Sequence, residues 1–204
     1  VGTDDGLIHI SPDAGTTWKK IESVSRVPSK TYVNMLLASQ HSENTAYAVF
    51  NNHKNGDFKP YVYRSRDKGA AWTSITGNLP ERGSVYCIAE DHVDPNLLFV
   101  GTEFGVFVTV DGGAKWTQLK SGIPTVAVRD MEIQKRENDL VLATFGRGFY
   151  VLDNYAPLRE ITEEVLESES AKIFAIKDAE MYLEGSRLGR RGKTFQGESY
   201  FTTP

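Results

Sequence analysis

The sequence predicts an all-β chain: a β-propeller of about three and a half four-stranded blades in an incomplete ring, with a short mixed C-terminal extension. One eight-residue phrase occurs three times and holds all three tryptophans: Ser11-Pro-Asp13-Ala-Gly15-Thr-Thr-Trp18, Ser65-Arg-Asp67-Lys-Gly69-Ala-Ala-Trp72 and Thr109-Val-Asp111-Gly-Gly113-Ala-Lys-Trp116. From aspartate to aspartate the steps are 54 and 44 residues, a period of propellers and solenoids. Short β-type runs flank every copy, with no helical pattern of ten to fifteen residues between strands.

Each phrase reads as a hairpin turn. Aspartate accepts hydrogen bonds from nearby backbone N–H groups, and the small hydroxyl at the first position joins that network. Glycine supplies the positive φ that a Cβ resists. Tryptophan reopens the next strand, buries its ring under the turn and pairs its indole N–H locally.

The turns divide residues 1–155 into blades. Residues 1–22 are a partial blade without its first strand, since Val1-Gly-Thr3 matches Val100-Gly-Thr102 and Leu7–Ile10 matches Val106–Thr109. Residues 31–77 hold strands at 32–38, 45–50, 61–64 and 72–76; residues 84–120 hold strands at 85–89, 96–102, 106–110 and 116–119. Residues 126–155 form a degenerate blade with strands at 127–133, 139–144 and 149–152, where Asp153-Asn154 stands in place of the turn phrase. The second strands are continuous apolar runs, as stacking of blades on both faces requires. Residues 156–204 read as a linker and the start of a following domain. They hold a short helix starting at Thr162, apolar runs at 171–176 and 181–183, and a basic glycine-rich loop at 185–193.

Composition limits the partners. The net charge of −4 gives no reason to expect nucleic-acid binding, and no apolar stretch reaches the length of a membrane span. The single cysteine, Cys87, cannot form an intramolecular disulfide and reads as buried core. His9, His41, His53 and His92 lack metal-ligand spacing, and no glycine-rich phosphate loop is present, so neither a metal nor a cofactor is expected. The opening at Val1, inside a strand, reads as a fragment or a processed product.

The phrase [ST]-x-D-x-G-x-x-W resembles the Asp-box, or BNR repeat, of sialidases, sortilin-like (Vps10) receptors and xyloglucan-cleaving propeller glycosidases. Three longer stretches resemble the last blades of bacterial sortilin-like BNR-repeat "glycosyl hydrolases": Asn78–Tyr86 with Glu90–Leu98, Gly101–Phe107, and Ala143–Asp153. The resemblance implies a secreted or periplasmic protein, with the boxes on the face away from any active site. Ser11, Asp13, Gly15, Trp18, Ser65, Asp67, Gly69, Trp72, Thr109, Asp111, Gly113 and Trp116 are then structural. It implies no established reaction.

The opposite face carries Asp4, Asp5, Arg26, Asn55, Asp57, Glu81, Arg82, Glu103, Arg129, Asp130 and Arg147. No spacing singles out a catalytic pair; the weak candidates are Asp4, Glu103, Asp130 and Arg147. A binding or interaction scaffold for a protein or carbohydrate ligand is the expected function. The alternative is part of a sialidase-like or xyloglucanase-like hydrolase whose site is shared with missing blades. An open arc leaves two blade faces bare. At about 500 Å² of apolar surface each, their burial is worth up to ~25 kcal/mol, so self-association or missing chain is expected to cover them.

Overall fold

The structure is a computed structural model that describes residues 1–162 and, beyond them, 165, 173–176, 178, 183–184 and 195–196. Val1–Lys172 forms one compact unit and Ile173–Pro204 a second. The helix expected from Thr162, residues 171–172 and 181–182 of the two apolar runs and the basic loop lie outside the described residues.

The first unit is an arc of antiparallel sheets. β1 (Ile8–Ile10) pairs with β2 (Lys19–Ile21), and an isolated bridge joins Gly2 to Ile8, where the sequence predicts a second strand. The first complete blade contains β3 (Tyr32–Ala38), β4 (Ala46–Asn51), β5 (Tyr61–Ser65) and β6 (Thr73–Ser74). The second contains β7 (Val85–Glu90), β8 (Leu98–Thr102), β9 (Gly105–Thr109) and β10 (Thr117–Leu119). β11 (Val128–Gln134), β12 (Asp139–Thr144) and β13 (Phe149–Leu152) form a three-stranded last blade. In the second unit, β14 (Leu183–Glu184) pairs with β15 (Phe195–Gln196). The arc is a propeller without a closed ring.

Each blade-to-blade contact is a hydrophobic cluster, and the second strand of each complete blade serves two of them. In β4, Ala48 and Phe50 point into the cluster shared with β1, while Tyr47 and Val49 point into the next. In β8, Leu98 and Val100 join that second cluster, while Phe99 joins a third with Val128, Met131, Leu140 and Leu142. Side chains alternate across a strand, so burial on both faces needs an unbroken apolar run.

The turn phrases build themselves from side-chain hydrogen bonds. Ser65 Oγ donates to Asp67 Oδ1 at 2.8 Å and accepts from Gly69 N at 2.7 Å, and Asp67 Oδ1 accepts from Ala71 N at 2.8 Å. The other two copies repeat this pattern. The N–H of Thr17 and that of Ala71 hold the Asp13 and Asp67 carboxyls below the usual carboxylate range. For Asp111 burial pushes upward, and hydrogen bonds from Thr109 and Lys115 outweigh it.

The glycines and tryptophans do more than the local reading predicts. A Cβ on Gly113 would stand 2.7 Å from the Cβ of Ile75 in the preceding blade, so glycine also permits blades to approach. Trp116 is buried and its indole donates across that boundary to the Ile75 carbonyl at 2.9 Å. Asn78 grips the Trp116 backbone on both sides, accepting from its N–H and donating to its carbonyl. Trp18, with no described blade before it, is half exposed and donates locally to the Gly15 carbonyl. The Trp72 indole N–H is buried with no partner.

Among the described residues no fourth strand joins β13 in the last blade. Tyr155 turns inward instead, 2% exposed and edge-on to Phe99. Its hydroxyl and the Arg159 guanidinium converge on the Asp91 carboxylate, with Arg159 Nε and Nη2 at 2.8 and 2.7 Å and Tyr155 Oη at 2.6 Å. Burial pushes the Asp91 pKa upward. Hydrogen bonds from Arg159, Tyr155 and the Asp94 N–H overcome it and hold the group down to about 2.

Candidate functional site

In a four-stranded antiparallel blade, the turn phrases and the loops from strand 1 to strand 2 share one end. The loops from strand 2 to strand 3 and from blade to blade share the other. At that second end each inner strand carries a β-bulge: between Val33 and Met35, between Val85 and Cys87, and between Val128 and Asp130. Bulges re-aim side chains and are enriched beside functional sites. The extra residues are Asn34, Tyr86 and Arg129.

These three residues form a chain from blade to blade. Asn34 Nδ2 donates to the Tyr86 carbonyl. The Arg129 guanidinium lies 3.8 Å from the centre of the Tyr86 ring and 5.2 Å from that of Phe145. The Tyr86 hydroxyl donates to Glu103, and the phenol is pushed up to about 12, first by burial and then by Glu103. Among the described residues Arg129 takes part in no ion pair, so its N–H groups remain free for a ligand oxygen.

Cation–aromatic stacking recurs around this face. Lys54 lies 5.7 Å from the Tyr32 ring centre and Arg82 lies 5.9 Å from that of Phe58. All three cations are exposed. Tyr32, Phe58, Phe104 and Phe145 are 39%, 44%, 48% and 70% exposed, although aromatic rings of this size normally find cover. Two buried polar atoms at the same end, Asn51 Nδ2 and Ser84 Oγ, have no partner.

The four weak catalytic candidates are not gathered in one cleft. Glu103 belongs to the Tyr86–Arg129 group. Asp4 is exposed on the loop before β1, and Arg147 is exposed on the β12–β13 loop without an ion pair among the described residues. Asp130 occupies the position that Met35 and Cys87 hold in their strands, where the side chain faces the following blade. No described blade follows, and Asp130 is exposed. Asp57, on the same end, accepts from Tyr61 at 2.6 Å and from Lys59 N at 3.2 Å, which makes it a loop builder. Neither of two grooves, of about 780 and 330 Å³, contains any of the four candidates.

Sequence reading missed Asn34, Tyr86, Lys54 and the exposed rings. The signal available was the alignment of Val33-Asn34-Met35, Val85-Tyr86-Cys87 and Val128-Arg129-Asp130, three positions that each follow a valine and carry an unmatched polar or aromatic residue. Among the described residues no cluster of three metal-ligating side chains occurs, and no helix is long and apolar enough to cross a membrane.

No family model matches the sequence, and no curated protein is significantly similar to it. Solved structures do match. YCF48 bound to D1 peptide aligns with a TM-score of 0.56 and 17% identity, over 75% of this chain and 46% of that one. The GH74 xyloglucanase of Xanthomonas campestris aligns with a TM-score of 0.52 and 16% identity, over 70% of this chain and 23% of that one. The aligned part is under half the length of either protein. At such identity the likeness shows the fold, a β-propeller.

Proposed function

We propose that the chain is part of an Asp-box, sortilin-like propeller that serves as an interaction scaffold, binding acidic, aromatic-containing protein segments on the face opposite the turn phrases. The observation that carries this reading is the cation–aromatic contact repeated on successive blades, with Arg129 over the Tyr86 ring and within 5.2 Å of the Phe145 ring centre. A guanidinium fixed by stacking keeps its N–H edge available for two parallel bonds to a carboxylate. The exposed rings around it supply rigid apolar contact of the kind protein interfaces favour. The same fold carries a peptide in YCF48. An exported location rests on the family resemblance alone.

The Tyr86–Glu103 pair beside Arg129 favours a second reading, part of a glycoside hydrolase, because a tyrosine with a carboxylate partner is a known nucleophile design in sialidases. Against it, the phenol is driven away from ionisation. An array of acidic peptides with and without aromatic residues, probed with the protein and with Arg129→Ala, tests the first reading; fluorogenic sialosides and β-glucosides test the second. Retention of acidic peptides by the protein and their loss in Arg129→Ala supports the scaffold. Glycoside turnover that disappears in Glu103→Gln would replace it with the hydrolase.

A further inference from the structure

The last blade ends on an unpaired edge. β13 pairs with β12 alone, with Leu142 opposite Tyr150 and Leu140 opposite Leu152, and no described strand lies on its other side. Thr144 N donates to the Gly148 carbonyl at 3.1 Å, so the backbone groups of Gly148 face β12. Hydrogen-bonding direction alternates along a strand; Tyr150 and Leu152 therefore also face β12, and Phe149 and Val151 turn their N–H and C=O groups outward. The described residues that follow directly do not fill the slot, because Tyr155 and Arg159 are tied to Asp91. Side chains here are apolar and uncovered, with Phe149 at 76% and Val151 at 53% exposure. Long-lived bare edges of this kind are normally blocked or paired.

We infer that this edge is a self-association site, where β13 of a second copy pairs antiparallel about a two-fold axis through Tyr150. Charge decides the occupant. In that register Phe149 stands opposite the partner copy's Val151, and Arg147 and Asp153, which flank the two ends of β13, bring opposite charges together at each end of the pairing. All four residues are exposed, and among the described residues neither Arg147 nor Asp153 takes part in an ion pair. The outward groups of Phe149 and Val151 then find partners in one continuous six-stranded sheet. An isologous contact of this kind closes after two copies and uses up the β13 edge of both. The edge adjoins the cation–aromatic face, since Arg147 shares the β12–β13 loop with Phe145, but none of the four pairing residues belongs to the Arg129 stack.

Sedimentation velocity of the full chain from about 1 to 100 µM, at low and at high salt, tests the pairing. The expected result is a monomer–dimer equilibrium that weakens with salt. Arg147→Asp and Asp153→Arg each weaken it at least tenfold, and the double exchange restores it. Val151→Pro removes an outward N–H without taking a bond from β12, and abolishes the dimer. A monomer at every concentration would mean that the edge awaits a different segment and would overturn the inference. So would a dimer that ignores the single charge changes, or a double exchange that fails to restore it.

Discussion

Replacing Arg159 with methionine tests the staple that stands where the last blade lacks its fourth strand. Asp91 is fully buried, and Arg159 retains only 18% of its side-chain exposure. The substitution keeps the stem's apolar packing but leaves a carboxylate inside the protein with Tyr155 and two backbone N–H groups as its remaining hydrogen-bond donors and His92 Nδ1 3.5 Å away. Breaking one partner of a buried pair costs about 3–5 kcal/mol, and the residual exposure of Arg159 places this one near about 3. Proton linkage gives a second signature. In the native chain Asp91 sits near 2, below its ordinary value of 3.8, so its contribution of about 2 kcal/mol is present above pH 4 and lost as pH falls toward 2. Without the guanidinium, burial dominates and the Asp91 pKa rises. The variant's deficit should therefore be largest at neutral pH and shrink as pH falls through the variant's raised pKa toward the native value near 2. Urea unfolding followed by tryptophan fluorescence at pH 7, 5 and 3 measures both effects. A deficit under 1 kcal/mol at pH 7, or one unchanged down to pH 3, would refute the reasoning.

Three other outcomes follow from the packing. Gly101→Ala would set its Cβ 2.5 Å from Cys87 Sγ and 2.8 Å from the Val128 carbonyl, and should cost about 1–3 kcal/mol in urea unfolding. Trp116→Phe, which strands the Ile75 carbonyl, should destabilise by about 1–3 kcal/mol, whereas Trp18→Phe at the exposed first turn should cost under about 1 kcal/mol. The Cys87 thiol, pushed up to about 12 first by burial and then by Asp130, should resist an aromatic disulfide reagent at pH 8 until the protein unfolds.

The strands were legible because each is bounded by chemistry that works locally. A serine or threonine hydroxyl, an aspartate and a glycine close the turn within five residues, whatever lies beyond. The apolar runs at Ala46–Asn51 and Leu98–Thr102 signalled burial on both faces, which only stacked blades provide here. The indole of Trp116 was not legible, since its partner belongs to another blade, 41 residues away. The Asp91 staple was hidden for the same reason: Arg159 lies 68 residues from its partner, and Tyr155 looks like an ordinary exit residue until Phe99 is placed beside it. The functional face was harder still. A bulge is one residue in excess against its partner strand, which no single strand reveals, and the three bulge residues share no chemistry along the chain.

The most direct test of the scaffold reading is a fluorescence-anisotropy titration with two labelled peptides identical except for one glutamate changed to glutamine, flanked by tyrosine or phenylalanine. The glutamate peptide should bind at least tenfold tighter, about 1.4 kcal/mol, with the preference lost in Arg129→Ala and reduced in Arg129→Lys. Equal affinity for the two peptides, or a preference that survives in Arg129→Ala, would contradict the claim that this arginine reads acidic partners.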